Sequence, residues 1–305
     1  MTDDGVSGNG NGRESTKGIL DARSLPDESF DALWESIVLE KEIKDRLLAQ
    51  AILNFTLRGK LDRARIPLHG IILLVGPPGT GKTSLARGLA SKTAKVCHGN
   101  QFRFLEVEPH ALASAKLGKS QQAVSHLLGT VVAERAAHGP LVVLLDEVET
   151  LAADRLKMSM EANPVDVHRA TDAVLAQLDQ LATNHPQLLF VATSNFPNAI
   201  DRAFLSRVDQ IITIGLPTAD ACQKIVKDTL AALAAKFHKV EGLLYHREIA
   251  DIGKRCLSLD GRQIRKAVLS ALTLDKATAA DPNRLTITDV LTSIDQAKAE
   301  SKGTE

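Results

Sequence analysis

Residues 71–83 constrain the fold of this chain more than any other stretch. Five apolar residues, 71–75, lead into a glycine-rich turn that ends in Lys82-Thr83. The turn has the pattern G-x-x-x-x-G-K-T, and residues 84–90 after it have the composition of a helix. Glycines let successive backbone N–H groups point at one anion, and a helix N-terminus adds partial positive charge at the same place. The stretch therefore predicts a strand, a phosphate-binding loop and a helix that together bind a nucleoside triphosphate.

Two side chains at the end of this loop have specific chemistry. Lys82 is long enough to reach the terminal phosphates, and the hydroxyl of Thr83 suits a Mg²⁺ ion. A glycine-rich turn of purely structural use would explain neither residue. We predict that the loop holds the nucleotide through Gly76, Pro77, Pro78, Gly79, Thr80, Gly81, Lys82, Thr83 and Ser84.

The composition argues against several classes of protein. The charges of 37 basic and 37 acidic residues cancel, so we do not expect nucleic acid as a direct ligand. The three cysteines are far apart and odd in number, which favours reduced thiols over disulfides or a metal site. The N-terminus lacks the apolar run of a signal peptide, and the longest apolar runs are strand-sized. We expect a soluble, cytoplasmic protein that does not span a membrane.

The order of apolar segments predicts two domains behind a short tail. Residues 1–26 are rich in Gly, Asn, Ser and Asp, and we expect them to be disordered, with a partner-binding arm that orders on contact as the alternative. Strand-like and helical segments then alternate, which predicts a parallel sheet with helical crossovers at 27–216. Helical segments alone follow, which predicts a small all-helical domain at 217–305. The predicted strands are residues 70–75, 102–107, 140–145, 187–193 and 208–214.

Two features of the N-terminal half have a structural and a functional interpretation. The basic run Arg58, Lys60, Arg63 and Arg65 is interpreted as a solvated loop, with a local basic surface as the alternative. The turn at residues 37–38, beside a predicted helix, is a candidate adenine contact, with ordinary packing as the alternative.

Further catalytic groups are expected where the strands end. Hydrolysis requires a fixed metal ion and an aligned water, and in parallel α/β sheets such groups lie at the carboxyl ends of strands. Asp146 ends an apolar strand and is predicted to hold Mg²⁺ together with Thr83. Glu147 is predicted to orient and polarise the attacking water as a general base. Asn195 ends the next strand, where its amide suits a hydrogen bond to the water and to the terminal phosphate.

Three later arginines are candidates for contacts to the nucleotide. Arg207 stands just before the last predicted strand, where it is poorly placed for its own nucleotide and well placed for that of a neighbouring chain. Arg262 opens a helix of the second domain and is the first choice for an arginine that folds back over the phosphates. Arg265 is the second choice, and an exposed position on the helix is the alternative for Arg262.

This ordered set of motifs resembles the AAA+ ATPases over about residues 30–300. The resemblance implies an α/β fold with a five-stranded parallel αβα core, a small helical lid and assembly of identical chains into a ring, usually a hexamer. It also implies that the ring hydrolyses ATP with Mg²⁺. Arg207 would then be the trans-acting arginine finger, Asn195 the first sensor and Arg262 the second.

Four local stretches are similar to the pachytene-checkpoint (Pch2-type) ATPases, which remodel HORMA-domain proteins. They are residues 33–38, 76–85, 146–151 and 173–179. The similarity implies a HORMA-domain partner that is partly unfolded and converted from its closed to its open form. Short forms of this family accompany bacterial nucleotide-signalling antiviral operons.

The sequence departs from that family in two places. Eukaryotic members carry a folded N-terminal recognition domain, whereas only the short tail precedes the core here. The position of the substrate pore loop lacks the usual aromatic residue, so Leu117, with Lys116 and Gly118 beside it, is the candidate for gripping the substrate. Packing of Leu117 against the base of its loop is the alternative.

Two other functions remain as alternatives at this point. A DNA-associated AAA+ loader or clamp-opening ATPase would share the motor, but the neutral charge argues against it. A nucleotide-gated scaffold that does not hydrolyse ATP is disfavoured because Glu147 and Asn195 are present.

Overall fold

The computed structural model describes residues 18–97, 101–108, 119–152 and 164–302. Its centre is a six-stranded sheet with the order β1-β3-β4-β5-β2-β6. Strands β2 to β6 are parallel to one another, and β1 runs antiparallel to β3 at the edge of the sheet. The five predicted parallel strands and the α/β class are confirmed. The strands are β1 (Ile19–Leu25), β2 (Ile71–Val75), β3 (Phe102–Val107), β4 (Leu141–Leu145), β5 (Leu188–Ser194) and β6 (Gln210–Thr213).

The expectation of disorder is wrong for the segment that forms β1. Ile19 pairs with Val107 and Leu25 pairs with Phe102, so the segment extends the edge of the sheet. Leu25 is buried in the core, and Asp27, two residues later, is the N-cap of the first helix. The strand that pairs with this segment is β3, which is distant in sequence. The hydrogen bonds that stabilise β1 therefore come from outside the segment, and its own composition does not indicate them.

Helices cover the two faces of the sheet and form a separate bundle after it. The fourth helix passes through a π-helical stretch, Leu127–Val132, between Lys119–His126 and Ala133–Ala137, and we label the whole α4. The other helices of the α/β part are α1 (Glu28–Ser36), α2 (Lys41–Leu57), α3 (Lys82–Val96), α5 (Pro164–Asn184) and α6 (Arg202–Leu205). Those of the bundle are α7 (Ala219–Ala234), α8 (Ile252–Arg255), α9 (Gly261–Ser270), α10 (Lys276–Ala280) and α11 (Ile287–Lys302).

The central strands are apolar along their whole length because each face of the sheet is covered. In β2, Ile71 and Leu73 belong to a core shared with α4 and α5. Ile72 and Leu74 belong to a second core, shared with α1, α2 and α3. The phosphate-binding loop therefore starts from a strand that is fixed by packing on two sides.

A third hydrophobic core lies among α7 to α11. It contains Cys222 and Val226 of α7, Ile264 of α9 and Ile294 of α11, all of them buried. All of the described elements from residue 217 to 302 are helical. Within the described segments of the chain, no helix combines the length and the apolar composition that crossing a membrane requires.

The interpretation of the basic run as a solvated loop is wrong for Arg58. This residue is buried, and its guanidinium donates to the carbonyls of Leu188 at 2.5 Å and Ala182 at 2.9 Å. Ala182 lies in the last turn of α5, whose carbonyls lack partners within the helix. Burial lowers the pKa of Arg58 to about 10. Arg58 therefore joins α2 to the far side of the sheet.

Candidate active site

The phosphate-binding loop connects β2 to α3 and is shaped by glycines with positive φ. A side chain at Gly76, where φ is 155°, would place its Cβ 2.0 Å from the carbonyl oxygen of Ile214. At Gly79, where φ is 78°, the Cβ would lie 2.3 Å from the carboxylate of Asp260. No larger residue fits these positions without movement of the neighbouring chain. The loop thus lies between Ile214, which directly follows β6, on one side and Asp260, at the start of α9, on the other.

The ammonium group of Lys82 lies on the inside of this loop. It donates to the carbonyl oxygens of Gly76 at 2.8 Å and Pro77 at 2.7 Å. Burial lowers the pKa of Lys82, and the negative charges of Asp146, Glu149 and Glu147 oppose that change. A partly desolvated ammonium held at the first turn of α3 suits the neutralisation of phosphate charge.

Oxygen ligands suited to Mg²⁺ come from α3 and from the end of β4. The hydroxyl of Thr83 donates to the two carboxylate oxygens of Asp146 at 2.8 and 3.1 Å. A second hydroxyl, that of Thr193 on β5, donates to Asp146 at 2.5 Å. Hydroxyl and carboxylate oxygens are the hard donors that Mg²⁺ prefers, so the residues present fit this ion. Thr83 and Asp146 would hold it.

Glu147 lies between the ends of β4 and β5. Its φ of 52° is in the left-handed region, where a residue with a side chain costs about 1–3 kcal/mol and which is often found at functional sites. Its backbone N–H donates to the hydroxyl of Thr193 at 3.1 Å. The amide of Asn195 donates to its carboxylate at 3.2 Å. The structure thus brings together Glu147 and Asn195, which sequence analysis had placed at the ends of two different strands.

A cavity of about 320 Å³ opens beside the loop. One wall is the connection between α1 and α2, including Ile37 and Val38. The floor includes Thr80 and Ser84, and the first residues of α9 complete the opposite wall. The apolar wall at 37–38 is suited to the flat face of a base, as the adenine interpretation of that turn requires.

Sequence comparison with known proteins identifies the family to which this site belongs. The family model "ATPase family associated with various cellular activities (AAA)" matches residues 72–216. CD-NTase-associated protein 6 of Pseudomonas aeruginosa is 56% identical over 92% of this chain and 93% of its own length. The Pachytene checkpoint protein 2 homolog of Danio rerio is 31% identical over 90% of this chain and 69% of its own length. The chain belongs to the Pch2-type AAA+ ATPases.

The same fold occurs in a solved assembly. A chain of the E. coli MS115-1 HORMA:CdnC:Trip13 complex has a TM-score of 0.68 and 20% sequence identity. The match covers 92% of this chain and 95% of that one.

Arg262 and Arg265, both near the start of α9, line the cavity beside the phosphate loop, but their side chains have different partners. Arg265 donates to the carbonyl of Ser36, at the end of α1, at 2.6 Å. Arg262 is exposed at the cavity, and its charge is among those that lower the pKa of Lys82. This proximity favours Arg262 as the arginine that faces the phosphates. Arg265 instead joins α9 to α1.

We predict that Arg262→Ala weakens ATP binding by about 10- to 100-fold, because a hydrogen bond to a charged group contributes about 1.5–3 kcal/mol. Arg265→Ala is the matched control, since the side chain of Arg265 donates a hydrogen bond to the carbonyl of Ser36. Binding of a fluorescent ATP analogue in each variant measures the difference. A larger loss in Arg265→Ala would reverse the assignment.

Arg207 is placed away from the loop of its own chain. Its guanidinium makes a two-point ion pair with Asp179 of α5 at 2.8 and 2.6 Å and donates to the carbonyl of Ala203 in α6 at 2.6 Å. The hydrogen bond with Arg207 lowers the pKa of Asp179. Within the described segments, no hydrogen bond or ion pair joins Arg207 to residues 76–83.

Sequence reasoning missed three residues of this site. Thr193 and Glu149 lie within the motifs that predicted Asn195 and Asp146, so their polar side chains beside buried strands were a usable signal. Asp260 accepts the N–H groups of Arg262 and Gln263 as the cap of α9, and only the fold brings it against Gly79. The pore-loop candidates Lys116, Leu117 and Gly118 lie outside the described residues.

Proposed function

We propose that this AAA+ protein hydrolyses ATP with Mg²⁺ and uses the energy to remodel a HORMA-domain protein. The observation that carries the hydrolysis step is the 3.2 Å contact between Asn195 and Glu147, next to the pair Thr83 and Asp146. Lys82 neutralises phosphate charge, and Glu147, oriented by Asn195, accepts the proton of the attacking water. Mg²⁺, when bound, supplies further charge neutralisation at the phosphate oxygens.

We propose that the chain divides at residues 216–217 into a large α/β domain and a helical lid. The separate core of α7 to α11 supports this division. The carboxylate of Asp260 at the start of α9 lies against Gly79 of the phosphate loop. Contacts of the nucleotide with the loop are therefore transmitted directly to the lid.

The position of Arg207 supports assembly of identical chains into a ring, most simply a hexamer. The side chain is fixed on α5 and α6, as described above, and a cation is needed where charge develops on the terminal phosphate. In the ring, Arg207 of one subunit serves the nucleotide of the next. Each active site is then complete only between two subunits.

A HORMA-domain client follows from the relatives. CD-NTase-associated protein 6 matches almost the whole of this chain, and the E. coli fold match comes from a complex that contains a HORMA protein. By analogy, remodelling regulates a bacterial nucleotide-signalling antiviral system. We propose that Leu117, with Lys116 and Gly118, grips the client in the ring pore.

The test measures ATP turnover with a purified HORMA-domain protein and with single- or double-stranded DNA. We expect stimulation by the HORMA protein and none by DNA. Leu117→Ala should retain basal turnover and lose closed-to-open conversion of the client, because a smaller side chain gives a weaker grip. Stimulation by DNA alone would instead support the clamp-loading alternative.

A further inference from the structure

The function above leaves one acidic side chain of the active site unexplained. Glu149 lies on the short 3₁₀ turn Val148–Thr150, directly after the Asp146-Glu147 pair. One of its carboxylate oxygens, Oε1, accepts the backbone N–H of Asn195 at 3.1 Å. The other, Oε2, is buried and has no hydrogen-bond partner in the parts of the chain that the structure describes. Burying a carboxylate oxygen in this way is costly, which indicates that the residue has a role beyond filling space.

Two glutamates hold Asn195 at two different points. Glu147 accepts from the side-chain amide of Asn195, and Glu149 accepts from its backbone N–H. The pairing of β5 with β2 ends at Ser194, so the backbone of Asn195 has left the sheet ladder. Glu149 thus fixes the backbone of Asn195 where the sheet no longer does. The orientation of the amide toward Glu147 depends on that backbone position.

The charge of Glu149 also lies near the phosphate loop. Its negative charge is one of those that oppose the burial-induced lowering of the Lys82 pKa. The geometry therefore allows two different roles, one through the hydrogen bond to Asn195 and one through negative charge. The hydrogen bond from the backbone N–H of Asn195 accounts for the orientation of Oε1 of Glu149.

We propose that Glu149 is a positioning residue for hydrolysis, which aligns Glu147 by holding the backbone of Asn195. This inference rests on the proposed function, because Glu147 and Asn195 must act on the attacking water. It requires that Glu149 act through Asn195 and that its loss lower kcat while KM for ATP is retained.

The test compares three variants of Glu149 in steady-state ATP turnover by the full chain. Glu149→Ala should lower kcat by about 10- to 100-fold, the scale of a misplaced catalytic group. Glu149→Gln, which keeps an oxygen acceptor, should restore most of the turnover. Glu149→Asp keeps the charge but shortens the reach, so it should behave like the alanine variant. The exposed glutamate Glu134 supplies a control, Glu134→Ala, with the turnover of the unmodified chain.

A double-mutant cycle separates positioning from a general structural effect. The pair Glu149→Ala and Asn195→Ala should lower kcat no further than Asn195→Ala does, because the first residue acts through the second. Independent, multiplicative losses would overturn the inference, as would equal losses in Glu149→Gln and Glu149→Ala. If Glu149→Ala lowers Tm strongly, the same cycle with Glu149→Asp decides. Turnover that is unaffected by Glu147→Gln would instead overturn the proposed function itself.

Discussion

Glu147→Gln should retain ATP binding and lose turnover by about 10²- to 10⁴-fold, the contribution typical of a general base. The glutamine keeps the shape of the side chain and an oxygen that can accept from Asn195 at its present 3.2 Å. It cannot accept a proton from the attacking water. ATP binding depends on Lys82 and on the loop, which the substitution leaves in place.

Single-turnover hydrolysis and binding of a fluorescent ATP analogue test this prediction together. The exposed residue Glu241, in the helical part of the chain, supplies the matched control, Glu241→Gln, which should behave like the unmodified chain. Turnover within about 3-fold of that control would exclude Glu147 as the base, since a general base contributes far more. No measurable turnover in the unmodified chain would instead favour the non-hydrolysing scaffold. If the prediction holds, the ATP-bound variant retains its client and can be used to isolate it.

Arg207→Ala should lower turnover by about 10³-fold or more while ATP binding is retained, which is the scale of other arginine fingers. The side chain is held on α5 and α6 by Asp179 and Ala203, so it contributes nothing to the loop of its own chain. In the proposed ring, its loss should therefore act at the active site of the neighbouring subunit. Arg247→Ala is a matched control, because the side chain of Arg247 is 90% exposed.

Mixing experiments show whether Arg207 acts between subunits. Rings that contain Arg207→Ala and Glu147→Gln chains together have some interfaces with an intact Glu147 and an intact neighbouring Arg207. Turnover should therefore recover in part at intermediate ratios. Mixed rings with no more activity than either variant would show that the two residues serve the same chain.

The ion pair with Asp179 affects how these results are interpreted. The pair is two-point and partly buried, since the side chains of Arg207 and Asp179 are 21% and 43% exposed, so removal of Arg207 should lower Tm to some extent. ATP binding by the variant, measured in parallel, shows that the chain is folded and that a loss of turnover reports on catalysis. Arg207→Lys, which keeps the charge without the two-point geometry, should remain well below the unmodified chain.

The strands and the loop could be predicted from the sequence because their signals are local. Continuous apolar runs define β2, β4 and β5, and the glycine pattern with Lys82-Thr83 specifies a phosphate loop wherever it follows such a strand. Asp146, Glu147 and Asn195 were predicted from a general rule about strand ends. The strand order then places β4 beside β5 and β5 beside β2, so these side chains meet.

Two predictions failed because the deciding partner is distant in the chain. The segment of β1 has too little apolar character to indicate a strand, and it becomes one only by pairing with β3. Arg58 belongs to a polar run, yet the carbonyls of Ala182, in the last turn of α5, and of Leu188 accept from its guanidinium and make a buried position favourable. In both cases the partner lies far outside the local stretch of sequence on which the prediction was based.

The sequence by itself therefore determined the phosphate loop and the residues suited to Mg²⁺, and it supplied the candidates for the general base and the sensor amide. These depend on residue type at short spacing, which a linear pattern records. Only the tertiary structure decided how they are positioned, because the deciding hydrogen bonds join segments that are far apart in sequence. It bound Arg265 to the carbonyl of Ser36, left Arg262 exposed at the same cavity, and paired Arg207 with Asp179 away from its own loop. It also placed the carboxylate of Glu149 where it accepts a hydrogen bond from the backbone N–H of Asn195.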